Sequence, residues 1–345
     1  MSYYDDVEKE NILKLRKLIK ELPNFCVDFF RSIEPRTTSK TRLAYAYDLN
    51  VFFNFLKHNN PKLSNKQIEL SDLDEIKFQD IEEFMEYLKY YKDEKEKLIS
   101  NSVSGIKRKI ATLRSFYKYF YNNDLLKNNP TAKIILPKIR DKEIIRFDVN
   151  EVVDFLNLVE SGDNLSKKEK QFHDKTKIRD IALLSLMLGT GIRVSECIGI
   201  NLSDVDLKNT AIKVKRKGAK ESIIYFSDEV LKPLSEYIDY RKSIDVENEK
   251  DKDALFLSIQ NKRISARSVE NLVKKYSKNV NPLKHITPHK LRSTFGTNLY
   301  QETDDIYLVA SVLGHNDVNT TKKHYAAIED NKKRLARNIV KLRDT

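Results

Sequence analysis

Arg193 closely follows Gly189-Thr190-Gly191, a glycine turn that ends an apolar run, and Glu196 stands three residues further on. An arginine there is partly shielded from water, and taken singly it reads as a helix-capping residue paired with Glu196. Lys217 lies in the charged turn Lys215-Arg216-Lys217-Gly218-Ala219-Lys220 between two β-like runs, with Gly218 available for positive φ. A flexible basic tip can put an ammonium beside a leaving oxygen, although most such tips are simply solvated. In Thr287-Pro288-His289-Lys290-Leu291-Arg292, His289 and Arg292 share a face of any helix that starts near Pro288. A titratable imidazole beside a planar guanidinium suits two oxygens of one phosphate. Leu313-Gly314-His315 allows close backbone approach next to a second imidazole. Thr320-Thr321-Lys322-Lys323-His324-Tyr325 sets a phenol after a polar, basic stretch.

Each feature has an ordinary explanation when considered alone. Together they do not: Arg, Lys, His-x-x-Arg, His and Tyr stand in order along the chain, with no carboxylate cluster or Cys/His metal set alongside. That inventory matches phosphoryl transfer without a metal, in which the protein positions the reacting atoms and neutralises charge on the phosphate. Two arginines can grip the non-bridging oxygens. A phenol with an unperturbed pKa near ~10 becomes a useful nucleophile once nearby cations or a base favour its anion. No cofactor and no metal is expected.

The elements that must carry these groups are mostly helical. Ile181 to Leu188 is almost wholly apolar, as in a buried helix, and it stops at Gly189-Thr190-Gly191. A helix from about Val152 to Val159 leads into Ser161–Lys177, whose polarity predicts a loop. Ala211–Val214 and Ser222–Phe226 read as short strands, Ser243–Asp253 as another polar loop, and the chain from Ser265 onward as helices with short breaks. Upstream, three helical stripes recur: Tyr45, Leu49, Phe52, Phe53 and Leu56; then Ile81, Phe84, Met85 and Leu88; then Ile106, Ile110, Leu113, Tyr117 and Phe120, with Ser102 and Ser104 as candidate N-caps. The third stripe is flanked by Lys107, Arg108, Lys109, Arg114 and Lys118. Such a basic face can contact phosphate or merely face water. Asn128-Asn129-Pro130 and Pro137–Lys142 mark a boundary near residues 137–147. The expected layout is a helical domain over 1–140, a linker at 141–147 and a larger domain over 148–345.

The 345 residues fit two ordinary domains, and 63 Lys and Arg against 51 Asp and Glu leave a net charge of +12. The excess favours a polyanionic partner through counterion release, although a solvated lysine-rich surface also accounts for it. No stretch approaches the ~20 apolar residues that would cross a bilayer. The acidic start, Met1-Ser2-Tyr3-Tyr4-Asp5-Asp6, has no signal core. Only two cysteines, Cys26 and Cys197, occur, far apart and without metal-type spacing, which argues against a disulfide scaffold or zinc module. A reducing, cytoplasmic setting is expected.

The order and spacing of these motifs resemble the catalytic domain of the tyrosine recombinases, the group that includes the Xer proteins, Cre and phage lambda integrase. The likeness runs from about Thr38 to the C-terminus and is strongest from Asp180 to Tyr325. Thr41, Tyr45, Asp48, Leu49 and Phe52 in one helix, with Asn129-Pro130 closing the last, look like the family's SAM-like core-binding domain. The leader up to about Pro35 and the polar stretch before Asp180 look closer to the single-recombinase Xer subgroup of Gram-positive bacteria. The resemblance implies a mainly α fold with a small β-sheet in an α+β catalytic domain, the two domains closing on double-stranded DNA as a C-shaped clamp. It also implies four protomers in a synaptic complex on nucleoid DNA.

By the same resemblance Arg193 and Arg292 grip the phosphate, and Lys217 protonates the departing 5′-oxygen. His289 acts in proton transfer on the nucleophile, His315 hydrogen-bonds the scissile phosphate, and Tyr325 attacks it to give a 3′-phosphotyrosyl link. Glu196 supports Arg193. Two departures stand out: Ser293 replaces a second histidine found in many members, and Arg216 stands where a glycine often precedes the hairpin lysine. Lys332–Leu342, with Leu335, Ile339 and Leu342 on one side, is expected to pack into a neighbouring protomer or back onto its own domain. The alternatives are a type IB topoisomerase that relaxes supercoils, and a DNA-binding regulator that has lost catalysis.

Overall fold

The computed structural model describes residues 3–93, 96–138, 145–216, 220–315 and 317–318. Contacts divide the chain into two units, Met1–Lys142 and Glu143–Thr345.

In the first unit the helices are α1 (Tyr3–Glu21), α2 (Cys26–Ile33), α3 (Ser39–Asn59), α4 (Leu70–Asp74), α5 (Phe78–Tyr87) and α6 (Val103–Asn122). The two longest of these helices begin where a hydroxyl can take up an orphan amide: Thr38 accepts from the N–H of Thr41 at the start of α3, and Ser102 from Gly105 at the start of α6. The periodic stripes then fold inward. Leu49, Phe52 and Phe53 of α3 and Ile110, Leu113, Tyr117 and Phe120 of α6 are all buried in one core. Aromatic edges lock that core, with Phe52 against Phe84 at 5.1 Å and Phe29 against Phe116 at 5.2 Å between ring centroids. A hairpin not expected from sequence, β1 (Tyr90–Lys92) with β2 (Leu98–Ser100), joins α5 to α6.

The second unit contains α7 (Val149–Ser161), α8 (Lys167–Thr190), α9 (Val194–Cys197), a three-stranded antiparallel sheet of β3 (Val205–Asp206), β4 (Ala211–Lys215) and β5 (Glu221–Tyr225), then α10 (Asp228–Lys242), α11 (Ala266–Val280), α12 (Pro288–Thr303) and α13 (Ile306–Leu313). The centre of the unit is α8, which lies against α7, α10 and α12. Its apolar half, from Ala182 to Leu188, is buried throughout.

The polar half of α8 corrects the loop expected over Ser161–Lys177. Only the short stretch between Ser161 and Lys167 is non-helical. Ser166 and Glu169 form a reciprocal capping box, and Glu169 also pairs with Lys278 of α11 at 2.8 Å. Thr176 and Asp180 are buried and hydrogen-bonded to one another at 2.9 Å. His173, Thr176 and Asp180 face the protein interior, and a reading by hydropathy alone takes such residues for solvent-facing. Among the described residues no helix is long and apolar enough to cross a membrane.

Candidate active site

The site begins at the end of α8. Gly191 adopts φ +61°, and its N–H bonds the Met187 carbonyl at 3.1 Å to close the helix. A Cβ at this position would fall 2.5 Å from Phe295 on α12 and 2.8 Å from Leu313 on α13. Three helices therefore meet at a residue that only glycine suits.

Past this turn Arg193 caps α9. Its N–H donates to Glu196 Oε2 at 3.0 Å, and its Nη1 to Glu196 Oε1 at 2.8 Å. Glu196 is only 4% exposed and holds the guanidinium from behind. The Arg193 side chain keeps 37% of its surface, enough for a ligand to reach it. Its Nη2 donates to the Gly314 carbonyl at 3.2 Å.

Arg292 approaches from α12 and is almost wholly buried. Its Nη1 donates to the Gly191 carbonyl at 2.5 Å, and its Nη2 to the Leu313 carbonyl. One turn earlier on the same helix stands His289, exposed, just after the Pro288 that opens α12. Thr287 and Pro288 set this start, since proline at the first helical position has no N–H to leave unpaired.

Helix α13 ends at Gly314, again with φ +61°, which turns the chain so that His315 follows at once and its N–H bonds the Ala310 carbonyl at 2.9 Å. Three consecutive carbonyls at this terminus are each taken by a different arginine: Val312 by Arg216 Nη2 at 3.0 Å, Leu313 by Arg292, and Gly314 by Arg193. The negative end of a helix dipole makes these charge-assisted contacts favourable, and they orient all three guanidiniums before any ligand arrives. The sequence reading treated Arg216 only as a departure; the signal it missed was a long basic side chain paired in space with a glycine 98 positions later.

Four of the six expected catalytic residues thus gather where α8, α12 and α13 end or begin: Arg193, His289, Arg292 and His315. Lys217 and Tyr325 lie outside the described residues, as does the expected terminal helix at 332–342. Among the described residues, no cluster of three or more His, Cys, Asp and Glu side chains is arranged to hold a metal ion.

The basic face of α6 divides in two. Arg108 donates to the buried Asp48 through both terminal nitrogens, at 2.5 and 2.6 Å, and Thr112 donates to the same carboxylate at 2.8 Å. Arg114 donates to the carbonyls of Thr131 and Ile134 and so ties down the segment after α6. Those two arginines are engaged internally. Lys118 is exposed, and Lys107 is half-buried.

The phage integrase family matches residues 146–332, and the N-terminal SAM-like domain of phage integrases matches residues 28–123. The chain belongs to the phage integrase family. Its similarity to curated tyrosine recombinases extends over most of its length. It is 36% identical to tyrosine recombinase XerC of Caldanaerobacter subterraneus subsp. tengcongensis, over 94% of this chain and 87% of that protein. It is 30% identical to tyrosine recombinase XerS of Streptococcus agalactiae, over 93% of this chain and 96% of that one. Among solved structures, XerH recombinase bound to its palindromic difH substrate superposes with a TM-score of 0.64 at 20% identity, over 87% of this chain and 80% of the other. This integrase-family fold, mainly helical with small antiparallel sheets, is the one expected from the sequence. Membership makes the chain a tyrosine-type recombinase.

Proposed function

We propose that this recombinase cuts and rejoins double-stranded DNA at specific sites, with Tyr325 as nucleophile. The observation that carries the reading is the convergence of Arg193 and Arg292 on the ends of α8 and α13, beside His289 and His315. In this reading the two arginines hold the non-bridging oxygens of the scissile phosphate. His289 manages the proton of the nucleophile, and His315 hydrogen-bonds the phosphate. Glu196 keeps Arg193 aimed.

Tyr325 attacks phosphorus, the bond to the 5′-oxygen breaks, and Lys217 delivers a proton to that oxygen. The phosphotyrosyl link retains the energy of the broken bond, so attack by a second strand's 5′-hydroxyl reverses the step without ATP. Exchange between two sites then proceeds through a Holliday junction. In support, the family match covers the residues that carry this set, and similarity to full-length recombinases includes the first unit.

In the same reading the 1–140 domain, with Lys107 and Lys118 facing DNA, and the 148–345 domain both bind the duplex and are joined by a linker at 141–147. Protomers assemble as tetramers on paired sites, with the terminal segment at 332–342 joining neighbours. The chain works on the bacterial nucleoid.

The test is covalent capture on nicked duplex DNA. Wild-type protein forms a protein–DNA adduct that survives denaturant, whereas Tyr325→Phe binds DNA and forms none; an adduct with the Phe variant would remove Tyr325 from its role. Two-site plasmids should yield deletions or inversions. Relaxation alone, at every site pair tried, would place the chain with the type IB topoisomerases. Binding without either product would make it a regulator.

A further inference from the structure

Arg216 directly follows β4, next to Lys217 in sequence, yet its side chain leaves the charged turn and enters the site. Its backbone N–H bonds the Lys220 carbonyl at 2.8 Å and closes the root of the β4–β5 hairpin. Its Nη2 donates to the Val312 carbonyl at 3.0 Å. The guanidinium fills the space over Gly314: a Cβ built on that glycine would overlap it. Its Nε is buried, and among the described residues it has no hydrogen-bond partner. An ordinary surface arginine would turn that nitrogen to water, since a buried unsatisfied donor is costly. The side chain is instead held by the carbonyl and by the glycine gap.

We propose that Arg216 is a positioning residue for strand cleavage. It latches the hairpin root to the end of α13 and so fixes the backbone immediately before Lys217, the next residue in the sequence. The inference rests on Lys217 acting as the general acid, as set out above. In that step the Tyr325 oxygen forms a bond to phosphorus, and the phosphorus–O5′ bond breaks. The electron pair stays on O5′, which takes a proton from the Lys217 ammonium. Arg216 touches none of these atoms and acts by placing the donor.

A change of leaving group tests this. The probe is a nicked duplex selected from a random library by covalent capture on the wild-type chain, made once with the natural 5′-oxygen at the scissile link and once with a bridging sulfur. A thiolate leaves without a proton, so loss of the general acid costs little on the sulfur substrate. Arg216→Ala should slow single-turnover adduct formation by about 10²-fold on oxygen, the usual scale of general-acid catalysis, and by a few-fold at most on sulfur. Arg216→Lys, which keeps a cation able to reach Val312, should recover much of the loss. Lys217→Ala is the control. If its defect is equal on both substrates, the general-acid reading fails. If sulfur rescues Lys217→Ala but leaves Arg216→Ala slow, or if Arg216→Ala cleaves both substrates like the wild type, the latch is wrong. Should Arg216→Ala melt below the assay temperature, Arg216→Met keeps the packed stem, removes the bond to Val312 and is read in the same way.

Discussion

Arg292 is bonded to the carbonyl of Gly191, the residue that ends α8 two positions before Arg193. One expected phosphate-binding arginine therefore braces the turn that presents the other. The planar fork reaches Gly191 and Leu313 at once, and an ammonium cannot span both.

Arg292→Lys should accordingly lower the rate of adduct formation by about 10²–10³-fold, the scale seen when one donor to a developing charge is removed. It should also lower stability by roughly 1–3 kcal/mol, because one of two buried carbonyls loses its donor. Adduct kinetics together with urea midpoints check both. A variant with full stability and full activity would contradict the brace.

Gly314→Ala combines two faults, a φ of +61° that a Cβ disfavours and overlap with the Arg216 guanidinium. The backbone fault alone costs about 1–2 kcal/mol. The steric fault should disappear when Arg216 is shortened. In a double-mutant cycle, Gly314→Ala should therefore cost less in an Arg216→Ala background than in the wild type, by more than ~0.5 kcal/mol. Additive midpoints would show that the two residues are not coupled.

On α6 the basic residues should separate by effect. Arg108→Ala strips a partner from Asp48, whose side chain is 2% exposed, while Arg108 itself is half in water. The loss should be on the order of 2 kcal/mol, below the ~3–5 of a fully buried pair. Lys118→Ala should leave stability within ~0.5 kcal/mol and reduce the salt dependence of DNA binding by about one phosphate contact. Thermal melts and salt titrations of the three proteins decide it. A Lys118→Ala salt slope equal to wild type would remove that lysine from the DNA-facing set.

Acid should weaken the second unit in two stages. His173 is buried, with Nδ1 2.9 Å from the Tyr276 hydroxyl, which donates to Asp180 at 3.1 Å. Burial first, and then the nearby Lys275 charge, hold its pKa below the ordinary 6.5, against the opposing pull of Asp180 and Asp174; Lys177 adds to the lowering. The unfolded chain thus takes up this proton more readily than the folded one, so stability is level above about 6.5 and falls as the pH drops toward the lower folded value. Glu169, held at about 2 by hydrogen bonds from Lys278 and Ser166, contributes stability above 4.5 that is lost between there and about 2. Urea midpoints from pH 8 to pH 4 should show the first decline in wild type and a flatter curve for His173→Gln. Parallel curves would relocate the effect to another group.

That Arg193, His289, Arg292 and His315 stand at helix ends was legible because their surroundings carry local signals: a glycine turn before Arg193, a proline that starts the helix of His289 and Arg292, and a glycine before His315. The capped stripes of α3 and α6 were legible for the same reason, since Thr38 or Ser102 and the apolar spacing agree on where each helix lies. The first half of α8 was not. Its polar side chains are satisfied by α11, through Glu169 with Lys278 and Asp180 with Tyr276, and no window of sequence contains both partners. The β1–β2 hairpin escaped because three-residue strands leave no alternation to detect. Arg216 escaped because its partner is a carbonyl and a missing Cβ, neither of which is a residue type.

The pairing of Arg216 with Gly314 also bears on how this chain can be re-engineered. Exchanging the β4–β5 hairpin for one with glycine at 216 would remove the Val312 donor and open a void above Gly314. Grafting an α13 terminus with any other residue at 314 would collide with the resident arginine. The hairpin and the helix end are separate in sequence but inherit as one part, so a working chimera must move both across the same junction.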